Sequence, residues 1–258
     1  MAKQLRLFFI HGEEIMIKNV KTEIPQIIHQ IWSGIDEPLP EFFMKLGETW
    51  KNQYPAWKYE FWDNKSMIEF VKKFYPQYWD IYNRFPFDVQ RWDAIRYLIL
   101  DKIGGMYVDF DYESLEPLDS LIMGKNCCFA LEPQSHCDLF KKRSMFNNAL
   151  MLNTPGHPFM KKIVENVFSE ERLRYDTSNK FMCVLNTTGP WILIDLYEAL
   201  TEQGKKEVYL ITDKYVTPFD VRQARQVRMG IETEELEACL QEAYAVHYFF
   251  NSWLVYNK

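Results

Sequence analysis

No stretch of apolar residues in this chain approaches the roughly 18 that a membrane span needs, and the patch Leu7 to Ile10 is too short for the core of a secretory signal. The chain also lacks any CxxC pair. Its five cysteines are Cys127 and Cys128 side by side, then Cys137, Cys183 and Cys239 at scattered positions, which argues against a zinc ribbon, a dithiol redox motif or a disulfide framework. Small buried thiols of a reducing compartment are the expectation, and with them a cytoplasmic protein in which any membrane contact is peripheral to the inner face. Positive charge is scarce as well: 30 Lys and Arg against 36 Asp and Glu leave a net charge of −6. That deficit disfavours a general polyanion surface, so nucleic acid is not an expected partner. With 10 Gly and 12 Pro in 258 residues, collagen-like and linker-like classes drop out.

What the chain does have is aromatic mass, with 19 Phe, 15 Tyr and 8 Trp inside a composition that is 47% hydrophobic and 26% charged, enough to bury a core. No repeat or Pro/Gly/Ser linker divides it, so one domain with insertions is expected. The run Ile24 to Trp32 is β-rich and ends at Ser33-Gly34, a buried first strand; a helix opened by Pro40 runs through Lys51, and Lys58 to Trp62 is the next strand. This is a βαβ unit. Short helices follow at Met67 to Phe74 and Tyr78 to Asn83. Asp88 then caps a helix over Val89 to Ile103, ended by Gly104-Gly105. Met106 to Val108 is a strand fragment that runs into Asp109-Phe110-Asp111. Beyond it the pattern gives a strand at Cys128 to Leu131, then loop, helices at Pro158 to Phe168 and Pro190 to Leu200, strands at Val208 to Thr212 and Ala243 to Phe250, and a charged helical region over Asp220 to Glu242.

Asp109 and Asp111 are the residues with the clearest chemistry. If the strand persists to Asp111, alternation points both carboxylates to one side of the sheet, at its carboxyl edge, where α/β folds bind ligands. Two like charges so close call for a cation, and hard Mg²⁺ or Mn²⁺ with carboxylate and phosphate oxygens suits them. Asp93 and Arg96 share a helix face, either as a surface ion pair or as an Arg fork aimed at phosphate or hydroxyls and held by its Asp. Trp32, at the first strand's end, can stack on a nucleobase or simply fill core. His29 reads as a satisfied core histidine; His247, followed by Asn251, Ser252 and Trp253, is the better candidate for a site.

These residues and their order resemble the DXD-containing sugar transferases of glycosyltransferase family thirty-two. The likeness runs through Ile24-Pro25 and Ile28 to Trp32, Pro55-x-Trp57, Tyr59-x-x-Trp62, Asp93-x-x-Arg96-Tyr97, Gly104-Gly105-x-Tyr107-x-Asp109-x-Asp111, Thr188-Gly189-Pro190, and His247 with Ser252-Trp253. That family is distantly similar to the glucosyltransferase domains of clostridial toxins. The resemblance implies an α/β fold of GT-A type, a single domain with a Rossmann-like mixed sheet flanked by helices and carrying helical insertions. Residues 1–22 would be an arm or extra strand, 23–132 the nucleotide-sugar half, and 133–258 the acceptor half with a C-terminal metal-site loop. It also implies a UDP- or GDP-sugar donor, a glycan or lipid-linked saccharide acceptor, Mn²⁺ or Mg²⁺, and retention at the anomeric carbon, in polysaccharide biosynthesis such as capsule assembly.

Carried over by position, Trp32 would stack on the donor base with Asn64 nearby, and Asp93 with Arg96 would hold the donor sugar. Asp109 would touch hydroxyls or metal, with Tyr107 beside it. Asp111 and His247 would ligate the cation, and Gly189, Ser252 and Trp253 would complete the donor site. Glu132, at the next strand end, is the acceptor-side candidate. In such a transfer the leaving phosphate accepts the acceptor's proton on the front face, and no carboxylate is placed as a nucleophile. Two other readings stand beside it. A phosphatase of haloacid dehalogenase type also puts DxD after a buried strand, but wants Thr or Val where this chain has Glu113, and on a first strand; a non-catalytic sugar-binding protein could keep the same fold. Arg222, Arg225 and Arg228 recur every three residues, either as a face for an anionic acceptor or as a solvated face balanced by Glu232 to Glu237.

Overall fold

The computed structural model describes residues 24–35, 37–251 and 253; the arm expected at residues 1–22 and the donor-site candidate Ser252 lie outside the described residues. Eight strands are described: β1 (Ile27–Ile31), β2 (Lys58–Trp62), β3 (Gly105–Val108), β4 (Tyr112–Ser114), β5 (Cys127–Leu131), β6 (Phe146–Asn153), β7 (Tyr209–Ile211) and β8 (Ala245–His247). Six of them form one sheet in the order β2-β1-β3-β6-β5-β7, and β4 pairs with β8 in a separate two-stranded ribbon. β1 runs parallel to both β2 and β3, and β5 parallel to β7, while β6 is antiparallel to β3 and β5. The fold is thus the expected mixed α/β sheet. Its carboxyl edge carries, in order, the ends of β1, β3 and β5 with the start of β6 between the last two.

The sheet is buried on both faces because its strands are apolar at consecutive positions, not alternate ones. Tyr107, Phe129 and Met151 point into one core with the helix Asp88–Lys102, while Met106, Val108, Cys128, Leu150 and Leu152 point into the other with Trp50 and Tyr54. The helix Asp88–Lys102 lies so deep that Asp93 and Arg96 keep only 5% and 6% of their surface exposed, which removes the surface ion-pair reading. Its cap differs from expectation: Phe87 is the N-cap, the Gln90 side chain accepts the Phe87 amide, and Asp88 turns to Arg91 instead. Gly105 ends up where only glycine fits. Its φ is +100°, and a Cβ there would sit 2.6 Å from the Ile27 carbonyl oxygen.

Three expectations need correction. The eight residues of β6, every one buried, fall in the stretch expected to be loop; the adjacent Asn147 and Asn148 give it a turn-like local chemistry that the sheet overrides. The last strand stops at His247 instead of Phe250, because the chain turns through Phe249 and Asn251, both at positive φ. The charged region over Asp220 to Glu242 is two helices, Val221–Arg228 and Glu234–Leu240, and its arginines do not share one free face. Arg228 donates to the carbonyls of Tyr248 and Phe249 at 2.8 and 2.7 Å, and Arg222 lies 4.0 Å from Glu235.

Candidate active site

β3 ends at Val108, one residue before the first acid, so strand alternation is not what aligns the two carboxylates. A turn does it. The Asp109 amide donates to the Ala149 carbonyl at 2.8 Å, and the Asp109 carbonyl accepts the Tyr112 amide at 3.1 Å, which folds Asp111 back beside Asp109 before β4 begins. Both side chains line a single cavity of about 610 Å³ at the carboxyl edge of the sheet.

Asp109 faces the buried cation. Arg96 Nη1 lies 3.2 to 3.3 Å from its two carboxylate oxygens and donates to the Asn148 carbonyl at 2.9 Å, Nε donates to the Trp92 carbonyl, and Nη2 lies 3.2 Å from Asp93 Oδ1. The guanidinium also sits over the Tyr107 ring, whose hydroxyl donates to Asp109. With these partners little of the fork is left for a ligand; Arg96 is an internal brace whose single charge is shared between two acids. Asp93 is held by the Asn148 side-chain amide at 2.9 Å and the Thr188 hydroxyl at 3.1 Å. Burial pushes the Asp93 carboxyl up to about 6, although Arg96 pulls the other way. Burial likewise outweighs Arg96 at Asp109, and with the nearby charge of Asp111 leaves it above the usual carboxylate range.

Asp111 has the opposite character. Burial opposes its ionisation, but the His247 imidazole, with Nε2 3.3 Å from Oδ1, and the Phe250 amide, which donates to Oδ2 at 3.0 Å, hold it below the ordinary value. His247 is raised in turn: burial opposes its charge, but the charge and hydrogen bond of Asp111, together with the charges of Glu132 and Asp109, outweigh it. It comes to the site through β4–β8 pairing, which sets it opposite Tyr112, the residue after Asp111; the two rings stack at 4.3 Å and 9°. Its Nδ1 is buried without a hydrogen-bond partner.

Across the cavity stand residues just past the end of β5, on the helix Gln134–Phe140 and on β6. Glu132 Oε1 accepts the Asn147 side-chain amide at 2.9 Å, and Oε2 lies 2.5 Å from His136 Nδ1. At the other end Trp32 is fixed by its indole N–H, which donates to the Glu37 carbonyl at 2.9 Å, and by Phe43. Trp253 stacks on Phe181 over the mouth, and its carbonyl accepts from Lys180.

Of the residues singled out from the sequence, Trp32, Asp93, Arg96, Tyr107, Asp109, Asp111, Glu132, His247 and Trp253 all line this cavity. Asn64 and Gly189 do not. Asn64 opens the helix Asn64–Phe74 with its amide on the Ser33 carbonyl, behind the cavity wall, and Gly189 is the N-cap of the helix Pro190–Glu198; in that motif it is Thr188 that reaches the site. Asn147, Asn148 and His136 are functional-site residues that the sequence reading missed. His29 is satisfied in the core, with Nε2 2.9 Å from the Gly104 carbonyl and Nδ1 accepting from the Trp62 indole at 3.2 Å.

No three His, Cys, Asp or Glu side chains converge as a cation cage among the described residues. Asp111 and His247 both line the roomy cavity, and a carboxylate oxygen with an imidazole nitrogen fits a hard cation whose remaining positions would go to phosphate and water. No helix among the described residues is long and apolar enough to cross a membrane, and all five cysteines are free thiols.

The sheet, the acid-bearing turn and the shared cavity have the architecture of the GT-A fold. Residues 40–128 match the family described as glycosyltransferase sugar-binding region containing DXD motif. It is 28% identical over 209 residues to inositol phosphoceramide mannosyltransferase 3 of Schizosaccharomyces pombe, covering 76% of this chain and 54% of that protein. Against the uncharacterized glycosyltransferase L373 of Acanthamoeba polyphaga mimivirus it is 28% identical over 240 residues, covering 91% of this chain and 86% of that one. The chain spans about half the length of the first fungal relatives it matches. Among solved structures its fold is similar to the PaToxG glycosyltransferase, with a TM-score of 0.52 at 17% identity over 86% of this chain and 89% of that one. The UDP-bound glycosyltransferase domain of the YGT toxin gives 0.51 at 10% identity, over 87% and 89%.

Proposed function

We propose that the chain is a retaining, metal-assisted mannosyltransferase that moves mannose from a nucleoside-diphosphate donor to a hydroxyl of a phosphoinositol-containing lipid. The observation that carries the reading is the meeting of Asp111 with His247 at 3.3 Å in the cavity that also holds the Asp93–Arg96–Asp109 cluster. Mannose and the lipid headgroup come from what the fungal relatives are named for.

Leaving of a diphosphate concentrates negative charge in the cleft while the sugar becomes oxocarbenium-like. Asp111 and His247 would hold a divalent cation, which supplies electrostatic stabilisation of that leaving group. Trp32, fixed by Glu37 and Phe43, offers a ring face to the nucleobase. Asp93 and Asp109, which share the single charge of Arg96, present oxygens to sugar hydroxyls. With its acids so committed, the site leaves the acceptor's proton to the departing phosphate. The outer rim, where Leu139, Val221 and Phe140 are exposed, is apolar enough to meet a lipid-linked acceptor.

The test is a donor panel of GDP-mannose, UDP-glucose, UDP-galactose and UDP-N-acetylglucosamine, with Mn²⁺ or with chelator, reading nucleotide release and the anomeric configuration of the product. GDP-mannose should be consumed in Mn²⁺ with retention. Asp111→Asn should bind GDP at least about tenfold more weakly in Mn²⁺ and no differently from wild type in chelator. Release from none of the four donors, or metal-independent release, refutes the reading.

A further inference from the structure

β5 lies two places beyond β3 in the sheet, on the side away from β1, so its end stands about 10 Å past the acid-bearing turn at the usual strand spacing. Trp32 closes the cavity at the β1 end and Glu132 at the β5 end, with the DXD turn between them. A donor laid with its base on Trp32 and its diphosphate at Asp111 directs its sugar towards Glu132.

Glu132 is not a loose surface acid. Asn147 donates to one oxygen at 2.9 Å, and His136 holds the other at 2.5 Å. The tautomer of His136 follows from its second contact. Its Nε2 lies 3.1 Å from the Val221 amide, which can only donate, so Nε2 accepts and Nδ1 carries the proton that goes to Glu132. Asn147 is fixed in turn, because its Oδ1 accepts the amides of Ala149 and Leu150. Glu132 is therefore clamped at both oxygens by groups that have no freedom to rotate, and each oxygen keeps a lone pair for a ligand.

Resting on the proposed transferase reading, we propose that Glu132 is the acceptor-binding carboxylate: it accepts a hydrogen bond from the incoming hydroxyl and orients it on the front face of the donor sugar, with His136 and Asn147 as its positioning residues. Glu132 takes no proton in this scheme. The proton passes to the departing phosphate as the new glycosidic bond forms and the bond from sugar to diphosphate breaks.

The experiment follows mannose from GDP-mannose in Mn²⁺ into two products, free mannose by hydrolysis and the mannoside of myo-inositol 1-phosphate, the acceptor probe. In Glu132→Gln the acceptor KM should rise about tenfold or more while the donor KM stays within about twofold of wild type. His136→Asn, whose amide nitrogen can stand where Nδ1 stood, should keep most of the transfer, and His136→Leu should behave like Glu132→Gln. A donor KM that rises in step with the acceptor KM, an unchanged acceptor KM in Glu132→Gln, or equal damage from His136→Asn and His136→Leu overturns the assignment. So does a wild type that hydrolyses GDP-mannose but mannosylates no inositol phosphate. A wild type that consumes no donor at all fails the transferase reading itself, and this inference falls with it.

Discussion

His29 makes the protein sensitive to acid in a way that can be worked out from two hydrogen bonds. Its ring is fully buried on β1, with Nε2 donating to the Gly104 carbonyl and Nδ1 accepting from the Trp62 indole. Protonation would place an N–H at Nδ1 against the N–H of Trp62, two donors facing each other in a fully buried position. Burial is the main cause, and it lowers the imidazole from 6.5 to about 4, against a weaker upward pull from Gly104. In the unfolded chain the same ring takes its proton near its ordinary value. As pH falls from about 6.5 to about 4 the unfolded state therefore gains a proton that the folded state refuses, and stability falls by about 3 kcal/mol.

Asp93 runs the other way. Its folded carboxyl sits at about 6 against an ordinary 3.8, so the folded state gains the proton first and stability rises by about 3 kcal/mol over nearly the same interval. The wild-type curve alone will look deceptively flat, and the difference between two proteins is needed to isolate His29. His29→Gln keeps a donor for Gly104 but orphans the Trp62 indole, so it should be less stable by about 1–2 kcal/mol near neutral pH. Below about pH 5 it should overtake wild type, since it has nothing to protonate. Urea unfolding followed by tryptophan fluorescence at stepped pH reads both curves. A stability difference that is the same at about pH 7.5 and pH 4.5, to within about 0.5 kcal/mol, refutes the argument.

Two further outcomes test the scaffold. Gly105→Ala, with a Cβ driven to 2.6 Å from the Ile27 carbonyl, should cost about 3 kcal/mol or more, whereas Gly34→Ala, at φ +69° with nothing within 4 Å, should cost only about 1–2 kcal/mol for the left-handed backbone; thermal melts of the two variants should differ accordingly. Arg228→Gln frees the carbonyls of Tyr248 and Phe249 and so loosens the segment whose Phe250 amide steadies Asp111; the donor KM should rise severalfold while the melting midpoint moves by no more than a few degrees, and an unchanged KM counts against the brace.

Much of this was legible in the residues. The apolar runs of β1, β2, β3 and β5, the helix before the acids and the glycines after it each carry their own local signal, and those signals agree with the sheet they build. β6 failed because its local chemistry points elsewhere. Two adjacent asparagines favour a turn in isolation, but here Asn147 and Asn148 are the groups that satisfy Glu132 and Asp93 inside the fold. The burial of Asp93 and Arg96 was hidden for a related reason: an Asp and an Arg three apart look alike on a wet helix and a dry one, and the difference lies in Asn148 and Thr188, more than 50 residues away in the chain. His136 gave no signal at all, because its role depends on a backbone amide from Val221 across the cavity.

The two acids of the motif show why spacing alone underdetermines chemistry. Asp109 and Asp111 are the same residue type two positions apart, yet burial lifts the first above the usual carboxylate range while His247 and a backbone amide hold the second below it. The turn separates them. It directs Asp109 down to Arg96 and Tyr107, where an anionic oxygen is neutralised by a fixed guanidinium, and Asp111 sideways to the β4–β8 ribbon, where its partner is an imidazole that can itself act as a ligand. A continuous strand would have sent both side chains to one face and into one electrostatic environment, where each carboxylate would chiefly repel the other. Ending β3 at Val108 turns one acid to the buried guanidinium and the other to the imidazole while both line the cavity, and under the proposed function that division would supply a sugar-side carboxylate and a phosphate-side carboxylate from a single tripeptide.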